Sequence, residues 1–129
     1  MATAGDLRPD HAAHREAITL QFGEIVKRLI DIVGRKLTCY LASVKDGRAL
    51  DRWIGGIEPY RDVEARLRFA YQLVKTLSDH DSPTVVQAWL TGVNPELGDR
   101  VPLRLIKEGD LNEIAPEVLG AARAFVAEA

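Results

Sequence analysis

The amino-acid sequence predicts an all-α protein. Apolar residues recur every three or four positions over most of the chain, which is the spacing that gives a helix one apolar face. No stretch alternates apolar and polar residues with the period of two that a half-buried strand requires. Proline, glycine and short polar residues separate the apolar stretches, so helix starts and ends can be placed from the sequence. We expect about six or seven helices.

The composition is that of an ordinary globular domain, with 47% apolar and 28% charged residues among 129. A chain of this length can bury a core without disulfides or a metal. The single cysteine, Cys39, lies among apolar neighbours, and we interpret it as a core residue in a reducing, cytoplasmic setting. No apolar run approaches the ~18 residues of a membrane span, and residues 1–10 lack the apolar segment of a secretion signal. We therefore expect a cytoplasmic protein with no membrane partner.

Charge is unevenly distributed along the chain, although the net charge is only −2. Residues 1–34 carry four basic and five acidic side chains, residues 35–75 carry nine and five, and residues 76–129 carry four and nine. The middle is therefore basic, at +4, and the last third is acidic, at −5. A basic middle attracts phosphates, although its charge is modest for a nucleic-acid binder. An acidic last third repels nucleic acid and suits a protein partner, particularly a basic one.

Residues 1–15 are predicted to be a disordered N-terminus, because residues 1–13 show no apolar period. A helix of about 17 residues then runs to Gly34 and opens a region that spans residues 16–81. Its wide apolar face either covers the rest of the domain or pairs with its copy in a dimer, and the sequence leaves both open. If the helix pairs with its copy, the protein would be a homodimer within a larger hetero-oligomer. The apolar face consists of Ile18, Phe22, Ile25, Leu29, Ile32 and Val33.

Residues 36–56 have the pattern of two short helices joined by a tight turn. Lys45-Asp46-Gly47 has the length that a helix-turn-helix needs, and Asp46 is a good N-cap for the second helix. The end of that helix, Arg52-Trp53-Ile54-Gly55-Gly56, resembles the second helix of the Xre/Cro-type helix-turn-helix. The spacing from Val44 to Trp53 is one residue longer than the commonest version. The inward-facing residues are expected to be Leu37, Leu41 and Val44 on the first helix and Ala49, Leu50, Trp53 and Ile54 on the second.

A DNA-binding surface is predicted at and after the second helix, because that helix enters the major groove in helix-turn-helix proteins. Neutralisation of phosphates by these basic groups would supply most of the affinity and make it salt-dependent. Asp46 and Asp51 lie in the same region and oppose DNA binding, so a helical scaffold with a solvated basic face is the alternative. The candidate DNA-binding residues are Lys45, Arg48, Arg52 and Arg61.

A long helix is predicted from Tyr60 to Leu77, with apolar residues on two sides, so it must pack between two layers. Ser82-Pro83 then combines an N-cap with a proline at the first helical position and starts a C-terminal region, residues 82–129. The first helix of this region ends at Gly92. After Gly109 a final helix begins at the capping-box-like stretch 110–113, and Pro116 is expected to break or restart it.

The stretch from Asn94 to Ile106 is the most distinctive part of the sequence. By residue type alone, it is a turn followed by a short amphipathic helix. The pattern Asn-Pro-x-Leu-x-x-Arg-x-Pro-x-x-Leu-Ile, with a glycine shortly after, resembles the signature of the toxin-binding domain of Xre/MbcA/ParS-type antitoxins, which are partners of RES-domain toxins. The residues that carry it are Asn94, Pro95, Leu97, Arg100, Pro102, Leu105, Ile106 and Gly109. The wider similarity runs from about Val33 to the C-terminus.

The resemblance implies a small helical C-terminal toxin-binding module after an Xre-like helix-turn-helix module. Toxins of that family consume NAD, and several of their antitoxins obstruct the active-site entrance with their last residues. The candidate toxin-binding residues here are Phe125, Glu128 and Ala129, although Phe125 also suits the closure of the core. The signature turn, Asn94, Pro95, Leu97, Arg100 and Pro102, is expected to have a structural role. For Arg100, hydrogen bonds to carbonyls are favoured over an ion pair with a toxin carboxylate.

No enzyme motif is present: there is no glycine-rich phosphate loop, H-E-x-x-H, C-x-x-C or G-x-S-x-G pattern. We therefore expect neither catalysis nor a cofactor nor a metal site. The resemblance implies an antitoxin that neutralises a RES-type toxin by covering its active-site entrance; repression of its own operon through operator DNA is left open. Two alternatives remain open: a stand-alone helix-turn-helix regulator with a C-terminal oligomerisation or protein-binding module, and a toxin-binding protein whose helix-turn-helix serves only as a scaffold.

Overall fold

The structure, a computed structural model, describes residues 9–128 and the side chains of residues 11–128. The all-α prediction is confirmed for this range, in which the only β-type pairing is a bridge between Asn94 and Arg100. None of the described helices combines the length and apolarity needed to cross a membrane. The helices are α1 (Pro9–Thr19), α2 (Phe22–Ala42), α3 (Arg48–Ile54), α4 (Arg61–Ser78), α5 (Pro83–Thr91), a 3₁₀ turn (Pro95–Leu97), α6 (Pro102–Glu108) and α7 (Leu111–Glu128).

Helix α4 is the central element, as its two apolar sides predict. It packs against α1 and α2 on the N-terminal side and against α5, α6 and α7 on the C-terminal side. The buried residues form one continuous cluster from Ala17 to Ala122, so the regions 16–81 and 82–129 share a single core. The buried residues of α4 are Leu67, Phe69, Ala70, Tyr71, Leu73, Val74, Thr76 and Leu77.

The N-terminal part differs from the sequence prediction. Helix α1 begins at Pro9, inside the stretch 1–15 for which disorder is predicted; residues 1–8 lie outside the described residues. The helix expected from Ile18 to Gly34 is divided between Thr19 and Phe22. Arg68 of α4 explains the division, because its guanidinium donates to the carbonyls of Ala17 (2.9 Å) and Leu20 (2.7 Å), which end α1.

Helix α2 buries its apolar face within the same chain. Ile25, Val26 and Leu29 have no exposed surface, so this part of the predicted apolar face covers the domain core, whereas Ile18, on α1, is 62% exposed. The helix is interrupted at Gly34, where φ is +90° and ψ is 164°, a conformation that is essentially restricted to glycine. The predicted helix end at Gly34 is thus a change of direction, and a second helical segment continues to Ala42.

Glu16, Arg28 and Tyr71 connect α1, α2 and α4. The Tyr71 hydroxyl donates to the Glu16 carboxylate (2.6 Å), and the Arg28 guanidinium donates to both Tyr71 (3.1 Å) and Glu16 (3.2 Å). Burial and the hydrogen bond to Glu16 raise the pKa of Tyr71 to about 12. The hydrogen bonds that Arg28 donates to Tyr71 and to Glu24 raise the pKa of Arg28, so its charge is maintained.

The expectation that Pro116 breaks the last helix is wrong. Helix α7 runs without interruption from Leu111 to Glu128 with Pro116 inside it. The Asp110 carboxylate accepts the N–H of Asn112 (3.0 Å), and the Asp110 carbonyl accepts the N–H of Ile114 (2.9 Å), so the first turn is well formed. Pro116 comes shortly after this turn, where its missing N–H removes one hydrogen bond without ending the helix.

Candidate functional site

Asn94 organises the signature turn through hydrogen bonds of its own. Its side-chain oxygen accepts the N–H of Glu96 (2.9 Å), and its carbonyl accepts the N–H groups of Leu97 (2.9 Å) and Asp99 (2.8 Å). Its own N–H donates to the carbonyl of Arg100 (3.1 Å). Both Gly98 and Asp99 have a φ of +64°, which glycine adopts freely and which aspartate tolerates better than most residues. Hydrogen bonds within residues 94–100 therefore close the turn.

Leu97 and Pro102 attach this turn to the core. Leu97 is 1% exposed and belongs to the continuous apolar cluster, as its position in the sequence predicts. Pro102 is the first residue of α6, where its missing N–H costs nothing, and it is buried. Pro95 has the same position in the 3₁₀ turn and is exposed. The turn thus has fixed anchors at both ends.

Arg100 connects the turn to α7. Its Nε donates to the carbonyl of Leu97 (2.6 Å), and its Nη2 forms an ion pair with the Glu117 carboxylate on α7. This is the geometry that a structural role requires: one guanidinium bonds to the turn and to the last helix together. Arg100 is therefore one link between the turn and α7, in addition to the direct packing of the 3₁₀ turn and of α6 against α7.

The three candidate toxin-binding residues lie at the end of α7. Phe125 is half-buried, and its ring lies against that of Trp89 on α5, with 6.4 Å between the ring centroids. Glu128 is exposed, and Ala129 lies outside the described residues. Phe125 therefore has a contact within the chain, which agrees with its alternative role in closing the core. The exposed Glu128 carboxylate is available to a partner.

A groove of about 310 Å³ lies between α5, the 3₁₀ turn and α7, and it contains both Phe125 and Glu128. The sequence does not reveal this groove, because Trp89 fits the ordinary apolar face of α5 and Val93 belongs to the helix-breaking segment before Pro95. Only the contact between Phe125 of α7 and Trp89 of α5 brings these residues together. We call this feature the Trp89 groove; it is lined by Ala88, Trp89, Gly92, Val93, Asn94, Pro95, Glu96, Ala121, Ala124, Phe125 and Glu128.

The candidate DNA-binding residues lie around the turn between α2 and α3. Ser43 is left-handed (φ +59°), and Val44 and Ser43 donate to the carbonyls of Cys39 and Tyr40 (3.1 Å each), which ends α2 two residues before the predicted turn. The N-cap of α3 is Gly47, one residue after the predicted Asp46. Asp46 still helps to start the helix, because its carboxylate accepts the N–H of Arg48 (3.0 Å).

Arg48 is engaged by its neighbour. Its guanidinium pairs with the Asp46 carboxylate at 2.9 and 3.3 Å, and this contact lowers the pKa of Asp46 to about 2. Both side chains are exposed, so the pair contributes little to stability. Lys45, Arg52 and Arg61 are also exposed and have no ion pair within residues 9–128. Lys45 and Arg52 flank the turn and α3, whereas Arg61 begins another helix, α4.

Arg35, which sequence reasoning did not single out, fixes α3 in place. Its Nη2 donates to the carbonyl of Gly47 and to the Asp51 carboxylate, both at 3.0 Å. The sequence separation of 12 and 16 residues hides this contact from any local pattern. It also gives Asp51 a structural partner, in addition to the negative charge by which Asp51 opposes DNA binding.

The described residues contain no group of three or more His, Cys, Asp or Glu side chains placed to hold a metal ion. Cys39 is half-buried, and burial raises the pKa of its thiol, which disfavours the reactive thiolate. It lines a shallow surface depression beside Arg35, Lys36 and Lys45.

Comparisons with protein-family models, with curated proteins and with solved structures found no match to this chain.

Proposed function

We propose that this protein is the antitoxin of a type II toxin–antitoxin pair and neutralises a RES-type, NAD-consuming toxin by covering its active-site entrance. The observation that carries the proposal is the signature turn. Asn94 and Leu97 close and anchor the turn, and Arg100 connects it to Glu117 of α7. The signature residues thus act to orient the last helix, whose end is the contact surface.

Electrostatics favour a basic surface as the target of that end. Residues 76–129 carry a net charge of −5, and Glu128 is exposed at the last described position of α7. A helix C-terminus adds partial negative charge from its unpaired carbonyls. A site that binds the phosphates of NAD offers cationic or N–H groups, which a carboxylate can also occupy.

Co-expression with the adjacent open reading frame is the test of this proposal. The neighbour alone should stop growth, and co-expression of this chain should restore it and yield a complex in a pull-down. A neighbour that neither binds nor inhibits growth would refute the antitoxin assignment.

The role of the helix end requires a change that leaves Phe125 in place, because Phe125 packs on Trp89. Glu128→Lys should reduce neutralisation while circular dichroism and the melting temperature stay unchanged. Glu113→Lys, which makes the same charge change at an exposed position near the start of α7, is the matched control. Equal neutralisation by both variants would remove Glu128 from the contact.

DNA binding, either as autorepression or as the function of a stand-alone regulator, is the second candidate. It is favoured by the exposed basic groups of Lys45 and Arg52, which have no ion pair within the described range. Because Arg48 is neutralised by Asp46, we expect Lys45→Ala with Arg52→Ala to weaken binding to operator DNA more than Arg48→Ala does. The slope of log K against log salt should also fall by about 2 in the double variant. Gel retardation and a salt titration measure both, and retardation equal to that of the wild type would exclude this surface.

A further inference from the structure

We propose that the Trp89 groove receives a segment of the toxin that presents an aliphatic or aromatic anchor next to a lysine or arginine. This inference rests on the proposed antitoxin function and deepens it. It assigns a second contact, in which the toxin inserts a side chain into this chain while Glu128 reaches towards the toxin. Phe125 is then a wall of the receiving groove.

The inner surface of the groove is apolar and open. Trp89 and Phe125 stand at a 53° tilt, and the small side chains of Ala88, Ala121 and Ala124 leave the space between α5 and α7 unfilled. The volume of about 310 Å³ is near the lower limit for pockets that bury a small ligand. It therefore suits one or two inserted side chains. An aromatic wall beside an unfilled space is the arrangement in which hot-spot residues of an interface are buried.

Val93 extends the apolar surface beyond the groove. It is 68% exposed, which makes it one of four large apolar side chains with such exposure among the described residues. Val93 lies directly before the closed turn that begins at Asn94, so the turn holds it at the groove edge. A partner segment that fills the groove would also cover Val93.

The charged residues of the groove determine the chemistry of the occupant. Glu96 and Glu128 are exposed carboxylates without an ion pair among residues 9–128, and no lysine or arginine lines the groove. A cation next to the apolar anchor would therefore meet the Glu96 carboxylate and no competing charge, while Glu128 at the groove edge remains available for the active-site entrance of the toxin. A two-fold dimer through this edge is disfavoured, because it would bring the acidic C-terminal region of a second copy against the groove.

Fluorine NMR of this chain labelled with 5-fluorotryptophan gives a direct readout of occupancy. The chain has two tryptophans, so Trp53 serves as an internal reference and Trp53→Phe assigns the two signals. On addition of the unlabelled purified product of the adjacent reading frame, the Trp89 signal should shift and the Trp53 signal should stay. A Trp89 signal that does not change in a formed complex would overturn the groove assignment.

Matched variants then test the apolar and the charged parts by affinity. Ala88→Phe fills the groove from an exposed position and should weaken binding by about thirtyfold, the size of a lost hot spot, whereas Ala65→Phe at an exposed site on α4 should not. Glu96→Lys should weaken binding by about tenfold, whereas Glu58→Lys, also exposed, should change it little.

The outcomes separate this inference from the function on which it rests. If the wild-type chain does not bind the neighbouring protein, the antitoxin assignment and the groove assignment both fail. If the wild type binds and both groove variants bind equally well, only the groove assignment fails. Should Ala88→Phe not fold, Val93→Ser at the exposed edge replaces it, and undiminished affinity of that variant would contradict the proposal. A concentration-dependent shift to a dimer that Ala88→Phe abolishes would identify a second copy as the occupant and would also contradict it.

Discussion

Arg100→Ala is expected to lower the free energy of unfolding by about 2 kcal/mol. The substitution removes the short hydrogen bond from the guanidinium to the partly buried Leu97 carbonyl, and a bond from a charged donor contributes about 1.5 kcal/mol. It also removes the ion pair with Glu117, in which the two side chains are 47% and 42% exposed, so solvent screening limits its contribution to about 0.5 kcal/mol. Most of the loss should therefore come from the turn.

Urea unfolding of a double-mutant cycle measures these parts separately. Glu117→Ala alone should cost about 0.5 kcal/mol, and the coupling energy between Arg100→Ala and Glu117→Ala should be of the same size. Arg100→Lys retains the charge but lacks the fork that reaches both partners, so it should retain less than half of the lost stability.

The functional consequence is a loss of orientation at α7. Arg100→Ala should reduce affinity for the proposed toxin even at temperatures where the variant is fully folded, because the helix that ends at Glu128 loses one of its contacts with the turn. A variant with wild-type stability, or one that is destabilised but binds the toxin with full affinity when folded, would refute the reasoning that the turn orients α7.

Two further predictions concern the N-terminal region. The raised pKa of Tyr71 means that folding favours its neutral form, so this stabilisation is complete below pH 10 and is lost as the pH rises through about 12. The free energy of unfolding of the wild type, measured in urea relative to Tyr71→Phe, should therefore fall by roughly 2 kcal/mol between pH 10 and 12; a constant difference would contradict this. Gly34→Ala should destabilise the fold by about 1–3 kcal/mol, because φ is +90° there although a Cβ would meet no atom within 4 Å. Thermal unfolding checks this, and an unchanged melting temperature would show that the interruption of α2 is not strained.

Local patterns predicted the parts of the fold that depend on local physics. Ser82 caps α5 as expected, with its hydroxyl accepting the N–H of Val85, and the two apolar sides of α4 correspond to its two packing surfaces. The bend at Leu97 and Gly98 and the start of α6 at Pro102 also follow from residue type. In each case the cause lies within a few residues of the effect.

The features that the sequence did not reveal depend on distant contacts. Arg68 bonds to the end of α1 from about 50 residues away along the chain, and Arg35 links α2 to α3. The Trp89 groove exists because α7 meets α5 through the rings of Phe125 and Trp89 and leaves the space beside three alanines unfilled. No period or motif reports such an unfilled space, since each of its residues also fits an ordinary buried face.

The absence of a break in α7 also depends on contacts with distant residues. A proline inside an apolar period usually ends a helix, and Pro116 was interpreted in this way. In the structure, Ile114 and Val118 on either side of it are buried in the common core. Burial of an aliphatic side chain contributes about 1.5–3 kcal/mol. Burial of these two side chains therefore outweighs the loss of one backbone hydrogen bond.

The central claim is that the end of α7, oriented by the signature turn, covers the active site of an NAD-consuming toxin. The most direct test is the rate of NAD loss catalysed by the purified product of the adjacent reading frame, with and without this chain. The account predicts that an equimolar amount of the wild-type chain stops NAD loss, that Glu128→Lys restores it in part, and that Glu113→Lys inhibits like the wild type. NAD loss that continues at the same rate in the presence of the wild-type chain would contradict the claim.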